Sequence, residues 1–383
     1  FGHSGSHAPQ LMQSSVIMIA MYFCLSIFRY KCTVNSLKPV LSKLGIWFRE
    51  QAHTESELLR LAEANNGWFT HESVAKSFQS HGSSLQDELV DKWLDAYQLP
   101  DAILADSGKR IGIIMAGNLP LVGLHDMLCA LVAGHKVAVK TSRDDTVLPK
   151  RVVQEIESIE PALKGRIEFV EGKLGDVDAL IATGSSNTMR YFDAYFGHIP
   201  HVFRTQRTGV AVLDGEESPE ELKGLGDDMF THFGLGCRST TKVFLPTDFD
   251  LDRCFAAWVP WSFLANNNKY ANNYDYHKAI WLLNREELIE NGFLLVKEDE
   301  NWVSPVGTLF VERYDDVGEL IKKLSDYKDG LQLVTSRSGA TEFTKELSAL
   351  APSISQQDLG LAQCPTLSDY ADGVDSVEFL LKI

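Results

Sequence analysis

Several things are missing from this 383-residue sequence, and each absence excludes something. No G-x-G-x-x-G segment follows any apolar run, so the standard dinucleotide fingerprint of a conventional Rossmann dehydrogenase is absent. The six cysteines (Cys24, Cys32, Cys129, Cys237, Cys254 and Cys364) include no C-x-x-C pair and no Cys/His group at metal-ligand spacing. That excludes a sequence-encoded metal site, and it disfavours a disulfide framework in so long a chain. A reducing, cytoplasmic setting is expected. Positive charge is scarce, 36 Lys plus Arg against 52 Asp plus Glu, a net charge of −16. Such a balance repels nucleic acid at long range but says nothing against a phosphate-bearing cofactor in a locally positive pocket. The longest apolar stretch, Val16 to Phe28, is 13 residues, against the roughly 20 a helix needs to span a bilayer. No stable membrane insertion is expected. Internal repeats and low-complexity segments are absent as well.

What is present is an ordinary folded composition, 44% hydrophobic and 23% charged, in a chain long enough for two lobes. Residues 1–34 read as a leader extraneous to the fold, with a short anchor as the other reading. Leu37, Val40, Leu41, Leu44, Trp47 and Phe48 recur at helical spacing. Ser36 is the expected N-cap, with Pro39 in the first turn. Ser84 with Asp87 reads as a capping box before a second helical face, Leu89 to Tyr97. From Arg110 the texture changes to alternating strands and helices. Arg110–Ala116, Lys136–Lys140, Ile167–Val170, Ala179–Thr183 and Val210–Leu213 are the expected strands. A second series has strands at 242–245, 307–311 and 331–334, with helices near 220–233, 276–290, 317–327 and 341–350. Such alternation predicts right-handed βαβ units and mostly parallel sheets.

Ligands of parallel sheets sit at the carboxyl ends of the strands. Asn118, the Thr141-Ser142-Arg143 run and Gly184-Ser185 all fall at such ends. Cys237 lies in His232-Phe233-Gly234-Leu235-Gly236-Cys237-Arg238, where two glycines leave its thiol approachable. A thiol needs an electropositive setting to act as a nucleophile, and Arg238 with nearby N–H groups is placed to supply one. Local context fits a buried structural cysteine equally well. For the other five cysteines the structural reading is preferred. Asn118, in a tight turn after a buried strand, could donate to an oxyanion or could merely build the turn. Lys140 and Arg143 could meet a ribose or phosphate, or could be solvated strand ends. Gly184 and Ser185 suit close approach of a phosphate to N–H groups. The Asn266–Tyr276 run is dense in Asn and Tyr without an assignable chemistry.

In order, the stretches MAGNLPLVGLHDMLCALVAGHKVAVKTS (115–142), ALIATGSSNT (179–188), HFGLGCRSTTKVFLP (232–246), KYANNYDYHKAI (269–280) and AQCPTLSDYADGVD (362–375) resemble the aldehyde dehydrogenase superfamily. They are most similar to its acyl-CoA reductase branch, the Lux-type fatty acyl reductases. The resemblance implies an α/β fold, aldehyde dehydrogenase-like, with two doubly wound parallel-sheet lobes and an N-terminal helical segment. The implied parts are a helical segment at 35–107, a cofactor-binding domain at 108–214, a catalytic domain at 215–350 and a C-terminal segment at 351–383 packing back on the fold.

Residue by residue, the resemblance makes Cys237 the catalytic nucleophile and Asn118 the oxyanion donor. Lys140 contacts the adenosine ribose, and Gly184 and Ser185 form the turn beside the cofactor. Ser142 and Arg143 complete the cofactor set, and the Arg143 cation implies NADPH, with NADH the alternative. No metal is implied. Where hydrolytic relatives carry a water-activating Glu, this chain has Arg204-Thr205-Gln206-Arg207-Thr208, with no carboxylate. The implied activity is NADPH-dependent reduction of a long-chain acyl-CoA or acyl-protein thioester to the aldehyde, through an S-acyl cysteine. The implied partners are acyl-CoA, or an acyl-carrier or acyl-transferring protein, and further copies of the chain in a homo-oligomer. The alternatives are an oxidative aldehyde dehydrogenase, an acyl-phosphate reductase, or a non-catalytic nucleotide or acyl-carrier scaffold.

Overall fold

The protein is described by a computed structural model covering residues 34–53, 56–99 and 108–383. The Val16–Phe28 run lies outside these residues. Four helices come first: α1 (Val34–Ala52), α2 (Glu57–Asn65), α3 (His71–Ser84) and α4 (Asp87–Leu94). The expected apolar face of α1 is the buried one, from Leu37 through Phe48. Trp47 and Phe48 pack on Phe78 of α3 with ring centroids 5.7 and 5.2 Å apart.

Two cap expectations fail. The first helix starts at Val34, so Ser36 is inside its first turn and Pro39 lies deeper in the helix than expected. Ser84 ends α3 and donates its hydroxyl to the His81 carbonyl, while Gln86, without a side-chain cap bond, precedes α4. The S-x-x-D pattern thus straddles a helix end and a helix start.

The first sheet contains β1 (Arg110–Ile114), β2 (Lys136–Lys140), β3 (Ile167–Phe169), β4 (Ala179–Thr183) and β5 (His201–Arg204), in the order β3-β2-β1-β4-β5. Every pairing is parallel. The crossovers are α5 (Leu124–Val132) between β1 and β2, α6 (Val147–Ile159) between β2 and β3, and α7 (Ser186–Phe196) between β4 and β5. Helices on both faces bury the middle of β1 completely, which is why the run is apolar without alternation. Strand order reverses between β1 and β4. The crevice outside that point is where doubly wound sheets bind ligands.

The second sheet contains β6 (Thr208–Val212), β7 (Thr240–Pro246), β8 (Ile289–Glu290), β9 (Leu295–Glu298), β10 (Thr308–Tyr314), β11 (Leu331–Ser336) and β12 (Ser355–Asp358), ordered β12-β11-β6-β7-β10-β9-β8. It is parallel except for β8 against β9. Its helices are α8 (Pro219–Phe230), α9 (Asp252–Trp258), α10 (Asn268–Leu283), α11 (Val317–Asp326) and α12 (Thr341–Leu350). The Val210–Leu213 run, expected to close the first series, is β6 and pairs with β7 and β11 of the second sheet. Sheet one ends instead on β5, whose mixed HVFR sequence hid it. The Asn- and Tyr-rich segment is helical: Asn267 caps α10 by accepting from the N–H groups of Lys269 and Tyr270. The helix expected from residue 276 therefore starts eight residues earlier.

A last helix, α13 (Ser376–Leu381), places Val377 and Leu380 in the apolar core shared by α1–α4 and the first sheet. Among the described residues no helix is long and apolar enough to cross a membrane.

Candidate active site

Because every strand of the first sheet runs the same way, all five carboxyl ends open on one side. The Met115–Asn118 turn, the Thr141–Arg143 run and Gly184-Ser185 therefore share a rim, as expected. Facing it across the lobes is the short loop that enters β7 and carries Cys237. The contact between the two is direct: Asn118 Nδ2 donates to the Leu235 carbonyl at 3.0 Å, two residues before the cysteine. A carboxamide has two N–H donors, so one remains for another acceptor.

Two glycines make this approach possible. A Cβ on Gly117 would lie 2.6 Å from Ser142 Oγ, and a Cβ on Gly236 would lie 3.0 Å from Leu119 Cδ1. The turn is held from below by Asp145, whose carboxylate accepts the Leu121 N–H at 2.8 Å while Leu121 sits at φ 63°. Burial pushes Asp145 up to about 7, against the N–H groups of Leu121 and Leu148. A folded-state pKa above the ordinary 3.8 means stability that is full below that value and lost as pH rises through about 7. Asparagine does not titrate. The melting temperature of D145N relative to the parent is therefore expected to improve by a few degrees between pH ~5 and pH ~8.5, measured by calorimetry. A pH-independent difference would contradict the assignment.

The Cys237 loop is built by strain and by clamps. His232 and Phe233 take left-handed φ values of 55° and 60° before Gly234 at 75°, a cost of about 1–3 kcal/mol for each non-glycine. Burial drives His232 down to about 4, so it is neutral, and its Nδ1 lies 2.7 Å from Ser73 Oγ on α3. Gly236 N–H donates to Ser239 Oγ at 3.2 Å. Arg238 Nε donates to the Ala362 carbonyl at 2.5 Å, and Asp228 of α8 accepts the N–H groups of Gly360 and Ala362 at 2.8 and 2.9 Å. The C-terminal segment thus straps the loop down. Asp228 is fully buried, and burial raises it to about 7.

Cys237 itself is half-buried and outside every apolar cluster. Burial pushes its thiol up; Arg238 and Arg204 pull it down, and Asp372 adds to the rise. The sequence predicts an electropositive setting from Arg238 and nearby N–H groups. The arginines are there, but desolvation outweighs them. Cys129 and Cys254 are buried, Cys364 is exposed, and Cys24 and Cys32 lie outside the described residues.

Arg204 ends β5 in a buried network. It grips Asp126 of α5 through two bonds of 3.0 and 2.7 Å, donates to Ser376 Oγ at 2.7 Å, and also donates to the Ala371 carbonyl. Removing one member of such a buried pair costs about 3–5 kcal/mol, so this arginine primarily fastens the 371–376 turn over the end of β5. That turn carries Asp372. Its carboxylate lies 3.3 Å from Arg207 Nε. The stretch that lacks a carboxylate in sequence therefore has one in space, supplied by the C-terminal segment.

The remaining expected residues separate by partner. Lys140 is at the rim, but its Nζ donates to the Gly172 carbonyl at 2.6 Å. Ser142 Oγ accepts the Asp144 N–H. Arg143 is exposed, and its guanidinium forms no ion pair among the described residues. Ser185 caps α7 by accepting the Thr188 N–H, with Gly184 packed on Met189 and Thr188. No group of three or more His, Cys, Asp or Glu side chains among the described residues is placed to hold a metal ion.

Sequence reasoning missed Asp145, Asp228, Asp126 and Asp372. Asp228 carried a signal, an acidic residue on the face shared by Leu225 and Met229. Asp372 carried a weaker one, Asp before Gly in a turn, where Asp tolerates the left-handed φ of 58° it adopts.

No family model matches the chain. No curated protein matches it either. Solved structures do. Aldehyde dehydrogenase 21 of Physcomitrella patens, in complex with the reaction product succinate, superposes with a TM-score of 0.64 over 90% of this chain and 83% of its own, at 11% identity. An NADP-dependent enzyme of E. coli gives a TM-score of 0.64 over 86% and 78%, at 14% identity. A Mycobacterium tuberculosis aldehyde dehydrogenase complexed with NAD+ gives 0.61 over 84% and 77%, at 13% identity. At such identities the likeness is one of architecture, and its extent along both chains leaves one conclusion: this protein has the two-lobed α/β fold of the aldehyde dehydrogenases.

Proposed function

We propose that the protein is a nicotinamide-dependent reductase that takes an acyl group from a thioester onto Cys237 and releases it as the aldehyde. The observation carrying this reading is the Asn118–Leu235 contact. It ties a carboxamide with a spare N–H to the loop that carries Cys237, at the open ends of a doubly wound sheet, and that supports the reading.

Cys237 attacks the thioester carbonyl, and Asn118 with the loop N–H groups holds the oxyanion. The carrier thiol leaves, and an S-acyl cysteine remains. When bound, a dihydronicotinamide cofactor supplies the hydride that reduces this thioester.

The rim has groups that fit a dinucleotide. Arg143 offers an exposed guanidinium with no ion pair among the described residues, and its charge favours the 2′-phosphate of NADPH. The N-terminus of α7 at Gly184-Ser185 suits the pyrophosphate. Lys140 and Ser142 border the same space. The structures named above include both an NADP-dependent enzyme and an NAD+ complex, in line with a cofactor of this class. A long-chain acyl group, an acyl-carrier or acyl-transferring partner and a homo-oligomer belong to the same proposal.

A second reading is the oxidative direction, from aldehyde to acid. Asp372 favours it, since a carboxylate is what water needs to attack an S-acyl enzyme. Absorbance of the nicotinamide separates the two. Acyl-CoA of graded length with NADPH is expected to consume the reductant faster than aldehyde with NAD+ produces it. The reverse ranking would favour oxidation, and silence in both assays would defeat both readings.

A further inference from the structure

We propose that the strap from Gly360 to Gln363 is a positioning element for the reacting thiol and that Asp228 is the residue anchoring it, an inference that rests on Cys237 being the acylated nucleophile. The strap is bonded on two sides. On one, Asp228 Oδ2 accepts the Gly360 N–H at 2.8 Å and Oδ1 accepts the Ala362 N–H at 2.9 Å. On the other, the Ala362 carbonyl accepts Arg238 Nε at 2.5 Å, and Gln363 Nε2 donates to Ser239 Oγ at 3.2 Å. Ser239 Oγ in turn accepts the Gly236 N–H at 3.2 Å. Gly236 and Arg238 are the chain neighbours of Cys237. Hydrogen bonds therefore run from Asp228 to both residues flanking the thiol, by way of a segment distant in sequence.

A plain turn does not need this arrangement. Asp228 is fully buried, and the lysine at hand, Lys76, pairs with Asp227 instead. Burying a carboxylate without a cation is costly. What the carboxylate supplies is two acceptor oxygens, one for each N–H. An asparagine would offer one acceptor, and its NH2 would face the other N–H. The strap is also seated at contact distance. A Cβ on Gly224 of α8 would lie 3.0 Å from both Gly360 Cα and the Leu359 carbonyl oxygen, and Gly360 takes φ 91°. Ser80 of α3 donates to the Gln363 carbonyl at 3.1 Å. The strap has little room to shift, so the Ala362 carbonyl and the Gln363 amide are held in place.

The consequence reaches the thiol through its neighbours. Fixing Gly236 and Ser239 sets the course of the loop through Cys237, and with it the direction of the sulfur and of the N–H groups beside it. Drawing Arg238 to Ala362 holds its guanidinium where it lowers the thiol against burial. The other charges acting on the sulfur are Arg204 from β5 and Asp372 from the C-terminal turn.

The first readout is single-turnover acylation of the full chain by octanoyl-CoA, followed by rapid quench and mass measurement. D228N is expected to lower the maximal rate about 10–100-fold, the effect of a misplaced nucleophile. The half-saturating octanoyl-CoA should change no more than about twofold. Q363A leaves the Asp228 carboxylate contacts in place and is expected to lose about fivefold. The two losses should not multiply in the double variant, because they lie along one path. A parent-like maximal rate in folded D228N or in Q363A, or losses that multiply in full, would overturn the proposal. Q363A decides the matter if D228N does not fold. The second readout needs no acyl transfer: the pH midpoint of alkylation by iodoacetamide, mapped to the Cys237 peptide. With the strap loosened and Arg238 released, the midpoint in D228N should move to higher pH by about half a unit or more. Removing a negative charge alone would move it down, so an unchanged or lowered midpoint would also overturn the proposal. If the parent takes up no acyl group, it is the reading of Cys237 that fails, while the midpoint still decides whether the strap positions the thiol.

Discussion

C237A is expected to lose turnover by about 10⁴-fold or more, and to lose acyl uptake entirely. The whole effect should fall on chemistry. Cys237 is half-buried, belongs to none of the apolar clusters, and its loop is held by Ser239, Arg238 and Asp228. Stability should therefore change by no more than about 1 kcal/mol. Cys129 and Cys254 give the opposite pattern. Both are buried in apolar clusters, so their truncation should lower stability and leave acyl uptake intact in the folded fraction. A C237A protein that still forms an acyl adduct, or that turns over at the parent rate, contradicts the assignment.

N118A should lower kcat by about 10²–10³-fold, the cost of removing one oxyanion donor. KM should change less, because the interaction strengthens only as charge develops on oxygen. Some loss will come from the loop, since Asn118 also donates to the Leu235 carbonyl. N118D separates the two contributions. It keeps the side-chain shape but places a carboxylate beside the developing oxyanion, and should be at least as impaired as N118A. Pre-steady-state acylation of both variants checks this. An N118D enzyme close to the parent would remove Asn118 from the chemistry and leave it as a turn residue.

Much of this was legible in sequence because it rests on periodicity and punctuation. The α1 face from Leu37 to Phe48 is buried as its spacing predicts, and β1, β2 and β4 read as strands because both their faces are covered. Asn118, Gly184 and Cys237 stood out because glycine and turn residues mark where backbone must come close. What escaped was long-range. β5 has the mixed sequence HVFR, with half its residues only partly buried. Nothing local assigned β6 to the other sheet, since a fully buried strand looks the same in either.

The carboxylates were hardest to find. Asp372 is more than 160 residues from Arg207 in the chain, yet its carboxylate lies 3.3 Å from Arg207 Nε. A gap at one position can be filled from another, and only the fold shows it. The arginines share this property: in a chain with 52 acidic and 36 basic residues, Arg204 and Arg238, from opposite lobes, both lower the Cys237 thiol against its burial.

Mass spectrometry of the intact chain after brief exposure to octanoyl-CoA, without reductant and then with NADPH, tests the central claim most directly. The account predicts one added octanoyl group, mapped to the peptide containing Cys237, which disappears on adding NADPH as octanal is released. An unmodified chain, an adduct on another residue, or an adduct on Cys237 that NADPH leaves in place would contradict it.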